Sequence, residues 1–173
     1  MWEIIFNEAH HERLLRDIIP AARKFVWIAT ADLKDMHVLA QKGKYRPFLA
    51  VMAELVAEGV EVRLMHAKEP GPRFRRDFDR YPELRTERFE RLLCPRLHMK
   101  AVIVDGKIAY LGSANFTGAG LGPKSVHRRN FEAGALTTER TAIQQLMDEY
   151  DRLFLGDACA KCQLRKVCPD PIA

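Results

Sequence analysis

The sequence predicts an α/β domain, and three observations carry that expectation. Residues 25–29 form an unbroken apolar run, short and rich in β-formers, which reads as a buried strand. Phe48, Val51, Met52, Leu55 and Val56 then recur at helical spacing, with Pro47 at the first turn and Gly59 just past the end. Val60, Val62 and Leu64 alternate with Glu61 and Arg63 and read as a second strand. A crossover of this length joins parallel strands, which makes the unit β-α-β.

The other elements follow in order. Leu14, Leu15, Ile18, Ile19 and Ala22 share one face of a helix over residues 8–22 that Pro20 should end or kink. Residues 67–96 open on Pro70, Gly71 and Pro72 and read as an exposed irregular or short-helical excursion. They carry nine Lys/Arg against six Asp/Glu, interspersed with Phe74, Phe78, Tyr81 and Phe89. Such a segment is either a solvated insertion or a basic wall with aromatic platforms beside a nucleic-acid groove. Residues 97–104 and 107–111 flank Asp105-Gly106, a strong hairpin signal. A glycine-punctuated loop over residues 112–124 and a strand over 131–136 come next. Thr138 is then placed to cap a helix whose apolar stripe is Ile143, Leu146, Met147, Tyr150, Leu153 and Phe154, closed by Gly156.

Composition bounds the class. At 173 residues the chain suits one domain with a short appendage, divided as residues 1–156 and a Cys-rich tail over 157–173. Apolar content of 47% and charged content of 29% are those of a soluble globular protein. No signal-peptide pattern and no membrane-length apolar run is present, so a cytoplasmic location with reduced thiols is expected. The formal charge of +5 suits a polyanionic partner.

The hairpin carries the chemistry. His98, Lys100 and Asp105, then Gly112, Ser113 and Asn115, fill the pattern H-x-K-x4-D-x6-G-S-x-N. Six fixed letters coincide by chance in on the order of 1 in 10⁷–10⁸ windows. On an extended strand His98 and Lys100 point to one side, and Ser113 and Asn115 end the partner strand nearby. An imidazole can attack phosphorus or deliver a proton, while an ammonium and an amide hold the non-bridging oxygens. Asp105 also suits the turn itself.

This pattern resembles the active-site signature of the phospholipase D superfamily. Residues 25–29 and 53–63 look like that family's first strand, helix and second strand, and Asn130-Phe131-Glu132 looks like its downstream N-x-E strand. The resemblance implies a mixed, mostly parallel sheet flanked by helices on both faces. It implies His98 as nucleophile in one subunit and acid in the other, with Lys100 and Asn115 binding phosphate. Ser113 would assist, and Glu132 would orient and charge His98. One copy of the motif then implies a C2 homodimer with the active site on the twofold axis. Small single-copy members are mostly nucleases, so the expected activity is a metal-independent endonuclease on DNA or RNA. The alternatives are a phospholipid phosphodiesterase and a non-catalytic nucleic-acid binder.

Cys159, Cys162 and Cys168 are spaced C-x2-C-x5-C, and the remaining Cys94 lies four residues before His98. Four thiolates suffice for a tetrahedral zinc or a [4Fe–4S] cluster. The spacing resembles the iron–sulfur staple of some helicase-linked exonucleases, which favours the cluster.

Overall fold

The computed structural model describes residues 1–34, 36–39, 43–122 and 126–172. Seven strands form one sheet in the order β1-β9-β8-β7-β2-β5-β6. They are β1 (Trp2–Phe6), β2 (Phe25–Thr30), β5 (Glu61–His66), β6 (Phe89–Leu93), β7 (Ala101–Val104), β8 (Ile108–Gly112) and β9 (Ala133–Thr137). A separate small ribbon pairs β3 (His37–Leu39) with β4 (Tyr45–Pro47). The predicted β-α-β unit is present as β2, α1 (Phe48–Ala57) and β5, with β2 and β5 parallel in the register Val26↔Val62.

Five of the seven main strands point one way, and only β7 and β9 run counter to them. Because those two lie between the others, parallel pairing is confined to β2-β5-β6 and the four remaining pairs are antiparallel. The hairpin is the cause: a tight turn at Asp105-Gly106 can only reverse the chain.

Strand alternation divides the core into two layers. Val26, Ile28, Val62, Leu64, Val102 and Val104 face Leu14, Leu15, Ile19 and the apolar side of α1. Trp27, Ala29, Met65, Ala101 and Ile103 face Ile143 and Tyr150 of α3 (Arg140–Phe154). Helices therefore cover both faces. The first helix, His11–Ile18, is wound with i to i+5 bonding, Ile19 N–H reaching Leu14 O, and Pro20 falls in the 3₁₀ turn that ends it. The cap of α3 is Glu139 rather than Thr138. Its carboxylate accepts from Thr141 N at 2.9 Å and Ala142 N at 2.7 Å, which satisfies two orphan donors and places negative charge at the helix N-terminus.

The basic segment departs from one of its two readings. It forms α2 (Pro72–Phe78), a 3₁₀ turn at Pro82–Arg85 and then β6. Phe74 is 2% exposed and Phe89 8%, and Phe78 and Tyr81 pack against the same core. These rings anchor the excursion to the sheet; burial rules out Phe74 and Phe89 as stacking platforms, while Phe78 and Tyr81 stay partly exposed. Arg73, Arg75, Arg76 and Arg80 remain on the surface.

Candidate active site

The carboxyl ends of β2, β5, β6 and β8 and the starts of β7 and β9 meet along one edge of the sheet. Strand ends of this kind, where neighbours diverge on either side of β2, leave a crevice for ligands. His98 and Lys100 lie immediately before β7, in extended chain that the ladder has not yet captured, rather than within the strand. Gly112 N–H still bonds Lys100 O at 3.1 Å, so the β8 end is stitched to this approach.

His98 is exposed, whereas Lys100 is 8% exposed. The Lys100 ammonium donates to the His98 carbonyl at 2.8 Å and lies 3.2 Å from Nε2 of the same ring. Burial holds Lys100 below the ordinary lysine value, and the charge of Glu132 opposes that shift. A buried ammonium with few partners is suited to an anionic ligand.

Asn115 is oriented by the end of β2. Its Oδ1 accepts from Ala31 N and Asp32 N, both at 3.1 Å, and from Thr30 Oγ1 at 3.3 Å. With the oxygen so occupied, the amide nitrogen is left as the donor toward a ligand. Thr30 also accepts from Phe116 N at 3.0 Å, which fixes the loop after Asn115.

Glu132, 8% exposed, accepts a short hydrogen bond from Ser113 Oγ and a 3.0 Å bond from Asn130 Nδ2. Its main chain is clamped by Asn7, which accepts Glu132 N–H on Oδ1 at 3.0 Å and donates its own N–H to Glu132 O at 2.9 Å. Among the described residues no hydrogen bond joins Glu132 to His98. Within one chain the carboxylate therefore orients Ser113 and Asn130, and the expected direct contact with the imidazole is absent from these bonds.

Residues 15–154 match the family described as "Cardiolipin synthase, PLD-like domain". The chain belongs to the phospholipase D-like domain family. It is 29% identical over 157 residues to cardiolipin synthase 2 of Bacillus anthracis, covering 86% of this chain and 26% of that protein. It thus spans about a quarter of that relative's length. Among solved structures it resembles NucT from Helicobacter pylori, with a TM-score of 0.63 and 16% identity over 89% of this chain and 96% of that one. It also resembles Nuc, a phospholipase D family member from Salmonella typhimurium, with a TM-score of 0.64 and 12% identity over 89% and 93% of the two chains.

One residue of the phospholipase D-like signature is remote from the others. Asp105 sits at the far end of β7, about 20 Å from His98 at roughly 3.3 Å per residue. Its carboxylate accepts from Arg23 N at 3.0 Å, Lys24 N at 2.8 Å and Phe25 N at 3.0 Å, which caps the start of β2. Asp105 and Gly106 both have positive φ, at 55° and 63°, and Lys107 N–H closes the turn on Val104 O. The type I′ turn explains the pair, and Asp105 is a structural residue, not part of the reacting centre. The signature glycine has an equally local cause. A Cβ at Gly112 would overlap the Tyr110 hydroxyl, because that buried ring lies across Gly112 and Gly134.

Asn130 belongs to the N-x-E resemblance, whereas Asn7, Thr30 and Tyr110 support the site without having stood out in the sequence. Only Asn7 carries a readable signal, since it follows an apolar run and adopts a φ of 47°, which Asn tolerates. The cysteines gather in part. Cys94, Cys159 and Cys162 line one cavity together with His98 and Met99. The hydrogen bond and charge of Arg96, aided by the Leu164 backbone, hold the Cys162 thiol below its ordinary value. Among the described residues, no three His, Cys, Asp or Glu side chains converge on a common metal position.

Proposed function

We propose that this chain is a phosphodiesterase acting on nucleic acid, an endonuclease that cleaves through a phosphohistidine in a homodimer. The observation that carries the reading is the single motif whose His98 is exposed at the sheet edge beside a buried Lys100 and an oriented Asn115 amide. His98 would attack phosphorus while Lys100 and Asn115 hold the non-bridging oxygens, where charge builds in the transition state. A P–N bond forms as the P–O bond breaks, and His98 of the partner subunit gives the leaving oxygen its proton. Water then attacks the phosphohistidine, and that same partner imidazole takes up the water's proton.

Two features support this choice over a lipid substrate. The chain covers NucT and Nuc almost end to end, but only 26% of the cardiolipin synthase. Its formal charge of +5 per chain becomes about +10 in a dimer, which suits a polyanion more than a single headgroup. No described helix is long and apolar enough to cross a membrane.

A surface suited to the second copy borders the site. Trp2, Ile4 and Phe6 of edge strand β1 share one face with Leu111 of β8 through the register Ile4↔Ala135↔Leu111. All four are exposed, and Trp2 and Leu111 line a groove with Leu146 of α3. Contiguous apolar exposure of this kind marks a contact surface.

The test is incubation with labelled single-stranded DNA, duplex DNA, RNA and anionic phospholipid vesicles, all in EDTA. Nucleic-acid cleavage that survives EDTA and vanishes in His98→Ala is expected. Turnover of phospholipid alone would establish the lipid reading, and cleavage restored only by Mg²⁺ would defeat the histidine mechanism.

A further inference from the structure

The C-terminal turn presents a physical problem. From residue 151 to 172 no side chain is fully buried, and Leu155, Leu164 and Val167 are exposed. Eighteen described residues beyond α3 must be ordered at a cost of about 1–2 kcal/mol each in backbone entropy, with little apolar burial to offset it. Cysteine is ordinarily among the most buried residues, yet all four thiols here are free and partly exposed.

Three of the four, from distant parts of the chain, line one cavity. Cys94 is fixed where β6 ends, its N–H on His66 O at 2.8 Å and its carbonyl accepting from Leu97 N at 2.9 Å. Cys159 and Cys162 face it across the cavity that His98 also lines. Cys162 N–H bonds Cys159 O at 3.1 Å, so the C-x2-C segment already forms a tight turn. Cys168 does not line that cavity, but the chain just beyond it is tied to the end of β6. The Asp170 carboxylate, two residues on, accepts Leu93 N–H at 2.8 Å, from the residue next to Cys94. Successive bonds of Arg165 N to Cys162 O and Cys168 N to Arg165 O curl the chain between them. Ile172 packs against Gly156 and the second core layer, which closes the turn at its far end.

We infer that Cys94, Cys159, Cys162 and Cys168 are the four thiolate ligands of a soft metal centre that clamps the C-terminal turn onto the loop carrying His98. The ligand class is a thiophilic centre, either one zinc ion or an iron–sulfur cluster, since both take four cysteine sulfurs. Among the described residues the thiols do not converge on one point, so the centre would form by side-chain rotation and movement of the partly exposed turn. The centre supplies the ordering that the tail's apolar surface cannot. It also fixes Cys94, four residues from His98, and so sets the position of the imidazole without touching substrate.

The experiment begins with the full chain purified anaerobically without a metal-binding tag. Iron, sulfide and zinc are assayed per chain, and the visible spectrum is recorded. About one zinc and no colour, or about four iron and four sulfide with a brown chromophore, identifies the centre. Cys94→Ser and Cys168→Ser should each lose most of the metal, whereas His98→Ala should retain it. Hydrogen exchange of wild type before and after chelation reads the clamp directly. Amides of residues 93–100 and 157–170 should exchange at least about tenfold faster once the metal is removed. Wild-type protein that neither carries metal nor takes up Zn²⁺ or iron and sulfide overturns the site. Full retention in both serine variants does the same. Metal loss with unchanged exchange at residues 93–100 overturns the clamp. None of these readouts requires nuclease activity, so they stand apart from the proposed function.

Discussion

Replacing Asp105 separates its structural role from the chemistry that its place in the signature suggests. The carboxylate receives three backbone N–H groups at the start of β2, from Arg23, Lys24 and Phe25. Asp105→Ala removes all three acceptors. The Arg23 and Lys24 donors are exposed and water replaces much of what they lose, so those two cost about 0.5 kcal/mol each. The Phe25 donor is partly buried and costs about 1–1.5 kcal/mol. Alanine at a φ of 55° adds about 1 kcal/mol of left-handed strain. The sum is about 3 kcal/mol, or roughly 6–12 °C in Tm for a domain of this size. Asp105→Asn keeps the turn and a neutral acceptor and should lose about 1 kcal/mol. Urea unfolding measures both losses, and kcat at a temperature where each variant is folded should stay within about twofold of wild type. A variant as stable as wild type that loses about a hundredfold in kcat would refute the argument and return Asp105 to the reacting centre.

Two further outcomes follow from the same geometry. Under the proposed homodimer, in which each shared site needs both imidazoles, mixing wild type with His98→Ala should give heterodimers with almost no turnover; half activity would mean independent sites. Burial lowers the pKa of His10, His11 and His66, and in all three that effect outweighs the opposing carbonyl and carboxylate contacts. The folded state thus binds protons less readily than the unfolded chain, whose histidines titrate near pH ~6.5. Their stabilising contribution is intact above that pH and lost as pH falls through and below it, at up to about 1.4 kcal/mol per pH unit for each histidine. The urea midpoint should drop steeply between about pH 6.5 and 5, and a flat midpoint across that range would contradict the burial argument.

Much of the site was legible because its residues are close in sequence. His98, Lys100, Ser113 and Asn115 lie on two arms of one hairpin, so local spacing brings them together without help from the rest of the chain. The β-α-β unit was legible for a similar reason, since its strands and helix each bury an unbroken or periodic apolar face. Strand β1 escaped notice because it lies at a sheet edge, where Trp2, Ile4 and Phe6 stay exposed and only Ile5 is buried, which erases the usual alternation. Strand β6 was hidden by Glu90 and Arg91 in the middle of a charged segment, although Phe89, Leu92 and Leu93 bury its flanks.

By itself, then, the sequence determined the α/β class, the reactive hairpin and the thiol-rich tail, because each is a property of short stretches of chain. Tertiary structure alone decided which of those residues share a site. It moved Asp105 to the opposite end of β7, took Phe74 and Phe89 of residues 67–96 into the core with Phe78 and Tyr81 packed against it, and gave Glu132 its partners in Ser113, Asn130 and Asn7. It also carried the tail back to Cys94 across more than sixty residues of intervening chain. Contacts of that kind depend on how strands are ordered in the sheet, and strand order is set by the packing of all the layers together, which no local pattern encodes.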